Sequence, residues 1–467
     1  MDYNNSLCFS RLRNLNSTLS IQISNYTTTL IVTISICFLL LVSNIIFCYL
    51  YYVKRKKGKE GKDKFFDGNV AMINSSMPLN DQAEHLSYDG KREIDRSKFT
   101  VGQKLGGGCF GCVYEGMVED FTNPGQKMKV AVKTVKNRLD PAQIFALMCE
   151  IKVLDKLDFH LNLVNMIRAC TDEFRNGELW LLLEHCSHGN MKNFLLRNRD
   201  IILKSLHYHR VPHEILNIRL FLKWSHSICR GMEYLASKNI MHGDLAARNI
   251  LISKSNNCEC YVAKISDFGL SKIFYDKTSY VKQERKNLPW KWMDVYFLET
   301  NVLRLSSDVW SFGIVFWEML SLGRFPYAGE EADVTIKKIK DGFRLPVPDE
   351  VEGANWLVNI YNEVTNMCWQ LDPEKRCNFS DLVKIFNTLL TTEEKEKYII
   401  LEQNFAKNEA KLGTYNAFSK SMMNHCTHSC TALPCKTLLS PMYNMHDIEL
   451  IYSNPIDETF EMEHIDP

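Results

Sequence analysis

One stretch, His242 to Gly269, restricts the folds open to this chain more than any other. It begins HGDLAARN, through Asn249, and ends at Asp267, Phe268 and Gly269. The intervening LISKSNNCECYVAKI has apolar runs on either side of a polar, Asn-rich turn, which predicts a hairpin of two short strands. Such a hairpin carries Asp244, Asn249 and Asp267 on adjacent loops. Oxygen ligands grouped in this way suit a hard divalent cation on phosphates, and a carboxylate beside them can take a hydroxyl proton. Each residue alone could as well cap a helix or close a turn; the joint spacing is what points to phosphoryl transfer.

The set resembles the HRDLAARN and DFG motifs of the protein kinases. By that resemblance Asp244 is the base, and Asn249 and Asp267 hold magnesium, or manganese in its place. From Phe99, FTVGQKLGGGCFGCVYEGMV alternates apolar residues around a glycine cluster and reads as strand, tight loop, strand. Gly106, Gly108, Gly111 and Val113 fill G-x-G-x-x-G-x-V, a weak pattern alone because simple hairpins also carry it. Glycines let backbone N–H groups approach phosphate oxygens. The resemblance therefore sets ATP against Leu105, Gly106, Gly107, Gly108, Cys109, Phe110, Gly111 and Val113. VAVK, containing Ala131 and ending at Lys133, follows in a predicted strand, then an amphipathic helix around Ile144 to Lys156. Lys133 matches the lysine on the α and β phosphates, and Glu150 its helix partner. In GELWLLLEHCSHGNMKNFL, Leu183 falls at the gatekeeper position, and Glu184, His185 and Cys186 form the hinge on which adenine would bind.

The residues after Asp244 separate the kinase classes. Serine/threonine kinases place Lys two positions on, where this chain has Ala246; Ala246, Ala247 and Arg248 resemble the tyrosine kinases, with Arg248 near the γ-phosphate. LPWKWM, Leu288 to Met293, resembles their docking strip, in which Pro289 and Trp292 wall a long phenol. Likeness to the vascular and fibroblast growth-factor receptors makes Tyr275 and Tyr280 autophosphorylation candidates, Tyr280 foremost. Arg197 to Asn217 is a polar insert, expected as a loop, where split-kinase receptors carry a longer one. Asp308 is expected to hold the backbone of the catalytic loop.

Three departures concern regulation. Gly243 replaces the HRD arginine, which in the family pairs with phosphotyrosine on the activation segment. Asp294, Val295 and Tyr296 stand where the family has Ala-Pro-Glu. Arg376 is retained without that glutamate, so Asp294, Glu299 or solvent must answer its charge. Every group on ATP and metal survives, so the expectation is an active tyrosine kinase less dependent on segment phosphorylation. The alternative is a nucleotide-binding pseudokinase acting as a scaffold. HGDLAARN with a minimal outer segment also resembles small nematode-type transmembrane tyrosine kinases.

Leu30 to Val53 runs 24 residues without a charge, enough to cross a bilayer core of about 30 Å as a helix. Seven Lys/Arg lie between Lys54 and Lys64, against only Arg11 and Arg13 upstream. The charge bias puts the N-terminus outside and everything from Lys54 in the cytosol. Residues 1–29 have no apolar start of a cleavable signal, carry sequons at Asn4, Asn16 and Asn25, and are too short for a conventional ligand-binding ectodomain. An adhesion or decoy receptor is therefore disfavoured. Asn44, an amide within the apolar run, would find a partner in a second copy of the helix or on its own backbone. Sixteen cysteines show no metal-site spacing, and all but Cys8 fall after the apolar run begins, so reduced thiols are expected. A net charge of +1 gives no basic excess for nucleic acid.

The expected fold is α+β: a two-lobed protein kinase with a five-stranded sheet and one helix in the N-lobe, and a helical C-lobe, preceded by one transmembrane helix. Its expected divisions are 1–29 outside, 30–53 transmembrane, 54–98 juxtamembrane linker, 99–390 kinase domain and 391–467 tail. The polar tail is expected to be mostly disordered, apart from a short helix to Lys411. Tyr452-Ser453-Asn454 fits the Tyr-x-Asn pattern favoured by SH2 adaptors, and a silent tail tyrosine fits it equally.

Overall fold

The computed structural model describes residues 27–28, 30–51, 66–108, 111–119, 125–207, 218–254, 260–268, 289–351 and 353–411. Helix α1 (Leu30–Tyr51) is long and apolar enough to cross a membrane. Its polar side chains bond to their own helix: Ser35 Oγ donates to the Ile31 carbonyl at 2.8 Å, and Asn44 Nδ2 to that of Leu40 at 3.3 Å. One Asn44 donor thus finds its partner on the helix's own backbone.

Strands β1 (Phe99–Gly108), β2 (Gly111–Glu119), β3 (Lys127–Thr134), β4 (Met166–Glu173) and β5 (Glu178–Glu184) form a five-stranded sheet in the order β1-β2-β3-β5-β4. Its neighbours are all antiparallel. Helix α2 (Pro141–Asp155) joins β3 to β4. The Asp140 side chain accepts the Ala142 N–H at 2.9 Å and Pro141 opens the first turn, so the helix starts where its sequence dictates.

Helix α2 was expected to be amphipathic, yet it is buried all round over its second half. Every residue from Ala146 to Leu154 is buried. The cause is the stretch assigned to a juxtamembrane linker, whose described part, 66–98, folds onto the catalytic domain. Leu79–His85 lies along α2, and Lys152 Nζ donates to the Glu84 carbonyl at 3.0 Å. Arg92 donates to the carbonyl of Leu157 at 3.0 Å. Ile94 and Ala169 are linked by an N–H···O bond of 2.8 Å, which stitches the stretch to the edge strand β4. At its other end Asn80 Oδ1 accepts the Met241 N–H at 3.1 Å, and the Leu79 N–H donates to the Asn239 carbonyl at 2.8 Å. Polar composition hid this because the contacts are made largely by backbone and amides.

The C-lobe contains α3 (Met191–Arg197), α4 (Arg199–His207), α5 (Ile218–Ser237), the β6 (Ile250–Lys254) and β7 (Tyr261–Ile265) hairpin, and α6 (Val295–Thr300). It continues with α7 (Leu305–Leu320), α8 (Ala332–Lys340), α9 (Asn355–Cys368), α10 (Phe379–Leu389) and α11 (Thr392–Lys411). Helix α7 is buried from Ser307 to Leu320 and is the post around which the lobe packs. The insert expected as a loop is helical over α4; residues 208–217 lie outside those described. None of the ten described cysteines forms a disulfide with another.

Helix α11 is longer than the sequence suggested, and it docks. Glu394 pairs with Arg219 and Glu402 with Arg230, while Lys264 Nζ lies 4.7 Å from the Phe405 ring centre. Tyr398, within the expected tail 391–467, donates its hydroxyl to Asn162 Oδ1 at 2.6 Å and meets the His226 ring edge-on at 4.8 Å. The change Tyr398→Phe leaves the fully buried Asn162 oxygen without that donor and should cost about 1–2 kcal/mol, read as a lower midpoint in urea.

Candidate active site

Strand register assembles the upper half of the site. Val113 pairs with Lys133, and Ala131 pairs with Leu183. Directly opposed residues share a face, so Val113, Ala131, Lys133 and Leu183 line one side of the sheet. Gly106 pairs with Val113, and Gly108 with Gly111 across the turn. A Cβ on Gly106 would meet nothing within 4 Å, whereas one on Gly111 would lie 2.3 Å from the Thr134 carbonyl oxygen. Gly111 is therefore required by close backbone approach, and Gly106 keeps open the space above the sheet. Leu105, exposed, sits where the β1–β2 register slips. Cys109 and Phe110 lie outside the described residues.

Lys133 Nζ donates to Glu150 Oε1 at 2.7 Å and to Asp267 Oδ1 at 2.6 Å. Three expected residues from β3, α2 and the loop after β7 thus meet at one ammonium. Burial works against the lysine's charge, but Asp267 and Glu150 outweigh it and hold its pKa above the ordinary value. Lys133 in turn holds the Asp267 carboxyl below the usual range, while burial raises Glu150. Asp267 is the firmly ionised carboxylate of the pair. Its φ is +56°, a left-handed conformation that costs a non-glycine residue about 1–2 kcal/mol and that concentrates at functional sites.

The lower half is the catalytic loop. Asp308 Oδ2 accepts the His242 N–H at 2.7 Å and Oδ1 the Gly243 N–H at 2.8 Å, as expected. Gly243 has φ +76°, where a side chain is strained and glycine is not. Asp244 forms an ion pair with Arg248 and accepts from Asn249 Nδ2 at 2.8 Å on Oδ2. Asn249 also donates to the Asp244 carbonyl at 2.7 Å, so its nitrogen is committed and its oxygen is the atom available to a cation. The Ser266 N–H and hydroxyl both donate to the Asn249 carbonyl at 2.9 Å, tying the two metal-side loops together.

The hinge and docking strip complete the frame. Glu184 pairs with Lys264 at 3.0 Å and accepts from Asn165 Nδ2 at 3.0 Å, so its side chain is turned to the scaffold. Burial pushes the Cys186 thiol up to about 12, which leaves it un-ionised. Trp292 is buried beneath the Arg248 guanidinium, 4.3 Å from the ring centre. Asp294 answers Arg376: the two pair with side chains 0% and 1% exposed, and Asp294 Oδ1 also accepts the Phe297 N–H at 2.8 Å to cap α6. Glu299 is engaged elsewhere, with Lys340. Tyr275 and Tyr280 lie outside the described residues.

Sequence reading missed Glu318, a lone acid in the apolar run FGIVFWEML. Its Oε2 accepts both the Ala247 N–H and the Trp292 Nε1–H at 2.9 Å. A charge inside an otherwise apolar helix was the signal available. Burial pushes the carboxyls of Asp308 and Glu318 up to about 7. Protonating Asp308 converts one of its two acceptor oxygens into a hydroxyl, so turnover should fall as pH drops through 7. The fold binds this proton more tightly than the unfolded chain, so Asp308's contribution to stability rises over the same window. Parallel profiles of kcat and melting temperature across pH 7 check the divergence.

The residues fit a nucleotide and a hard cation. Asn249 and Asp267 supply two oxygen ligands, which suits an ion that keeps waters and phosphate oxygens in its shell. A family model described as protein tyrosine and serine/threonine kinase matches residues 99–386. The chain belongs to that kinase family. Kinase domains use ATP with a divalent metal. Over 416 residues, 80% of this chain and 29% of the relative, it is 33% identical to vascular endothelial growth factor receptor 3 of Danio rerio. It is 30% identical to vascular endothelial growth factor receptor 1 of Mus musculus over 410 residues, 76% of this chain and 30% of that one. The chain thus spans about three-tenths of the length of these curated relatives.

Proposed function

We propose that this kinase is a single-pass, membrane-anchored protein tyrosine kinase that transfers the γ-phosphate of ATP to protein tyrosine. The observation that carries the reading is Lys133 held between Glu150 and Asp267, with Asp244 set on Arg248 and Asn249 below it. In the reaction Asp244 orients the phenol and takes its proton as the phenolic oxygen bonds to the γ-phosphorus and ADP departs. Lys133 holds the α and β phosphates and Arg248 faces the γ-phosphate. Magnesium at Asn249 and Asp267 supplies charge neutralisation on the phosphates when bound. Tyrosine as acceptor is supported by the Ala246-Ala247-Arg248 sequence and by Trp292 under Arg248.

Helix α1 and the basic run after it support an outside N-terminus and a cytosolic kinase, with divisions 1–29, 30–53, 54–98, 99–390 and 391–467. Residues 66–98 and α11 pack with the 99–390 stretch. Pairing through α1 and an SH2 adaptor at Tyr452 are the partners proposed, with Tyr275 and Tyr280 as autophosphorylation sites. The test is phosphotransfer by residues 54–467 onto a tyrosine peptide, with Lys133→Met as control. Labelling of serine peptides alone overturns the acceptor, and retained ATP without transfer favours the pseudokinase scaffold.

A further inference from the structure

Glu318 is costly where it stands. It is fully buried, no cation lies within ion-pairing distance among the described residues, and its Oε1 has no hydrogen-bond partner there. An apolar residue of similar size would avoid the desolvation of a carboxylate. What the acid gains is a closed ring of contacts. Its Oε2 takes the N–H of Ala247, in the catalytic loop, and the Nε1–H of Trp292, in the docking strip. Trp292 supports the Arg248 guanidinium, and Arg248, next in sequence to Ala247, pairs with Asp244. The ring therefore runs from carboxylate to backbone, to guanidinium, to indole, and back to the same oxygen.

We propose that Glu318 is a positioning residue for tyrosine transfer, holding the docking strip and the catalytic loop in one register so that Arg248 presents Asp244 to the phenol. It touches neither nucleotide nor acceptor. The inference rests on the tyrosine kinase reading and adds a residue to it. Asp308 fixes the start of the loop; Glu318 fixes its middle and links it to the wall on which the acceptor lies.

The test uses full-length protein in detergent, with ATP, magnesium and a synthetic tyrosine peptide. Glu318→Leu should lower kcat about 10²-fold, the usual cost of an ångström-scale misplacement, with the ATP KM within about twofold of wild type. Its melting temperature should fall by only a few degrees, because relief of the carboxylate's desolvation offsets much of the cost of leaving the Ala247 and Trp292 donors without an acceptor. Glu318→Gln keeps an acceptor oxygen and should recover most of the loss. Trp292→Phe keeps the ring but not the donor, and combining it with Glu318→Leu should add no further loss. Hydrogen exchange at the Ala247 amide should be fast in the Leu variant and slow in the Gln variant, a readout independent of turnover. Wild-type kcat in Glu318→Leu, or a loss matched by the fraction unfolded, overturns the proposal. Slow exchange at Ala247 in that variant does so as well. Absent transfer by wild type with fast Ala247 exchange in the Leu variant counts against the activity, not the ring.

Discussion

Asp244→Asn is expected to lower turnover by about 10²–10⁴-fold while leaving ATP affinity within about twofold of wild type. In the proposed mechanism the carboxylate takes the phenolic proton, and an amide cannot take it. The substitution also damages its surroundings. Asp244 now accepts from both Arg248 and Asn249. An amide offers one oxygen to those two donors, and its own N–H₂ must face one of them. The proposed nucleotide contacts lie elsewhere, on Lys133 and the glycine strands, hence the expected split between kcat and affinity. Steady-state kinetics beside an equilibrium nucleotide titration check it; equal turnover in the mutant would refute Asp244 as base.

The second large effect concerns stability. Asp294→Ala should cost about 3–5 kcal/mol, because Arg376 is left buried with its charge unanswered by a carboxylate. Cap and core fail together, since the same carboxylate accepts from Phe297 N–H and from the Ser307 hydroxyl. Pairing the change with Arg376→Met removes the stranded charge and should recover most of the loss. Chemical denaturation of the single and double variants checks the pair; if the double variant is no better than the single, the ion pair is not the cause.

The two-lobed fold and the set of residues gathered around Lys133 were legible because they follow from short, local patterns. Alternation placed β1 to β3, and the glycines and VAVK fixed which face would hold Lys133. Choices that depend on the third dimension stayed open. Sequence named three candidates for the anion of Arg376, and only packing selects Asp294 over Glu299. The covering of α2 by residues 66–98 was hidden for a similar reason. A helix that reads as buried on one face becomes buried on both when a polar strand of chain, bonded through its backbone, lies across it. The docking of helix α11 escaped notice because its anchors, Glu394, Tyr398 and Glu402, look like solvent-facing residues until Arg219, Asn162 and Arg230 meet them.

The bridge from Lys133 to Asp267 has a thermodynamic consequence. Asp267 is one of the ammonium's two counter-ions, beside Glu150, so a cation that takes the Asp267 carboxylate breaks that pair, and phosphate oxygens that reach the ammonium meet the carboxylate's charge. Either ligand alone therefore enters at a loss that the other would recover. Affinity for the nucleotide should climb with cation concentration, and affinity for the cation with nucleotide, by one and the same factor.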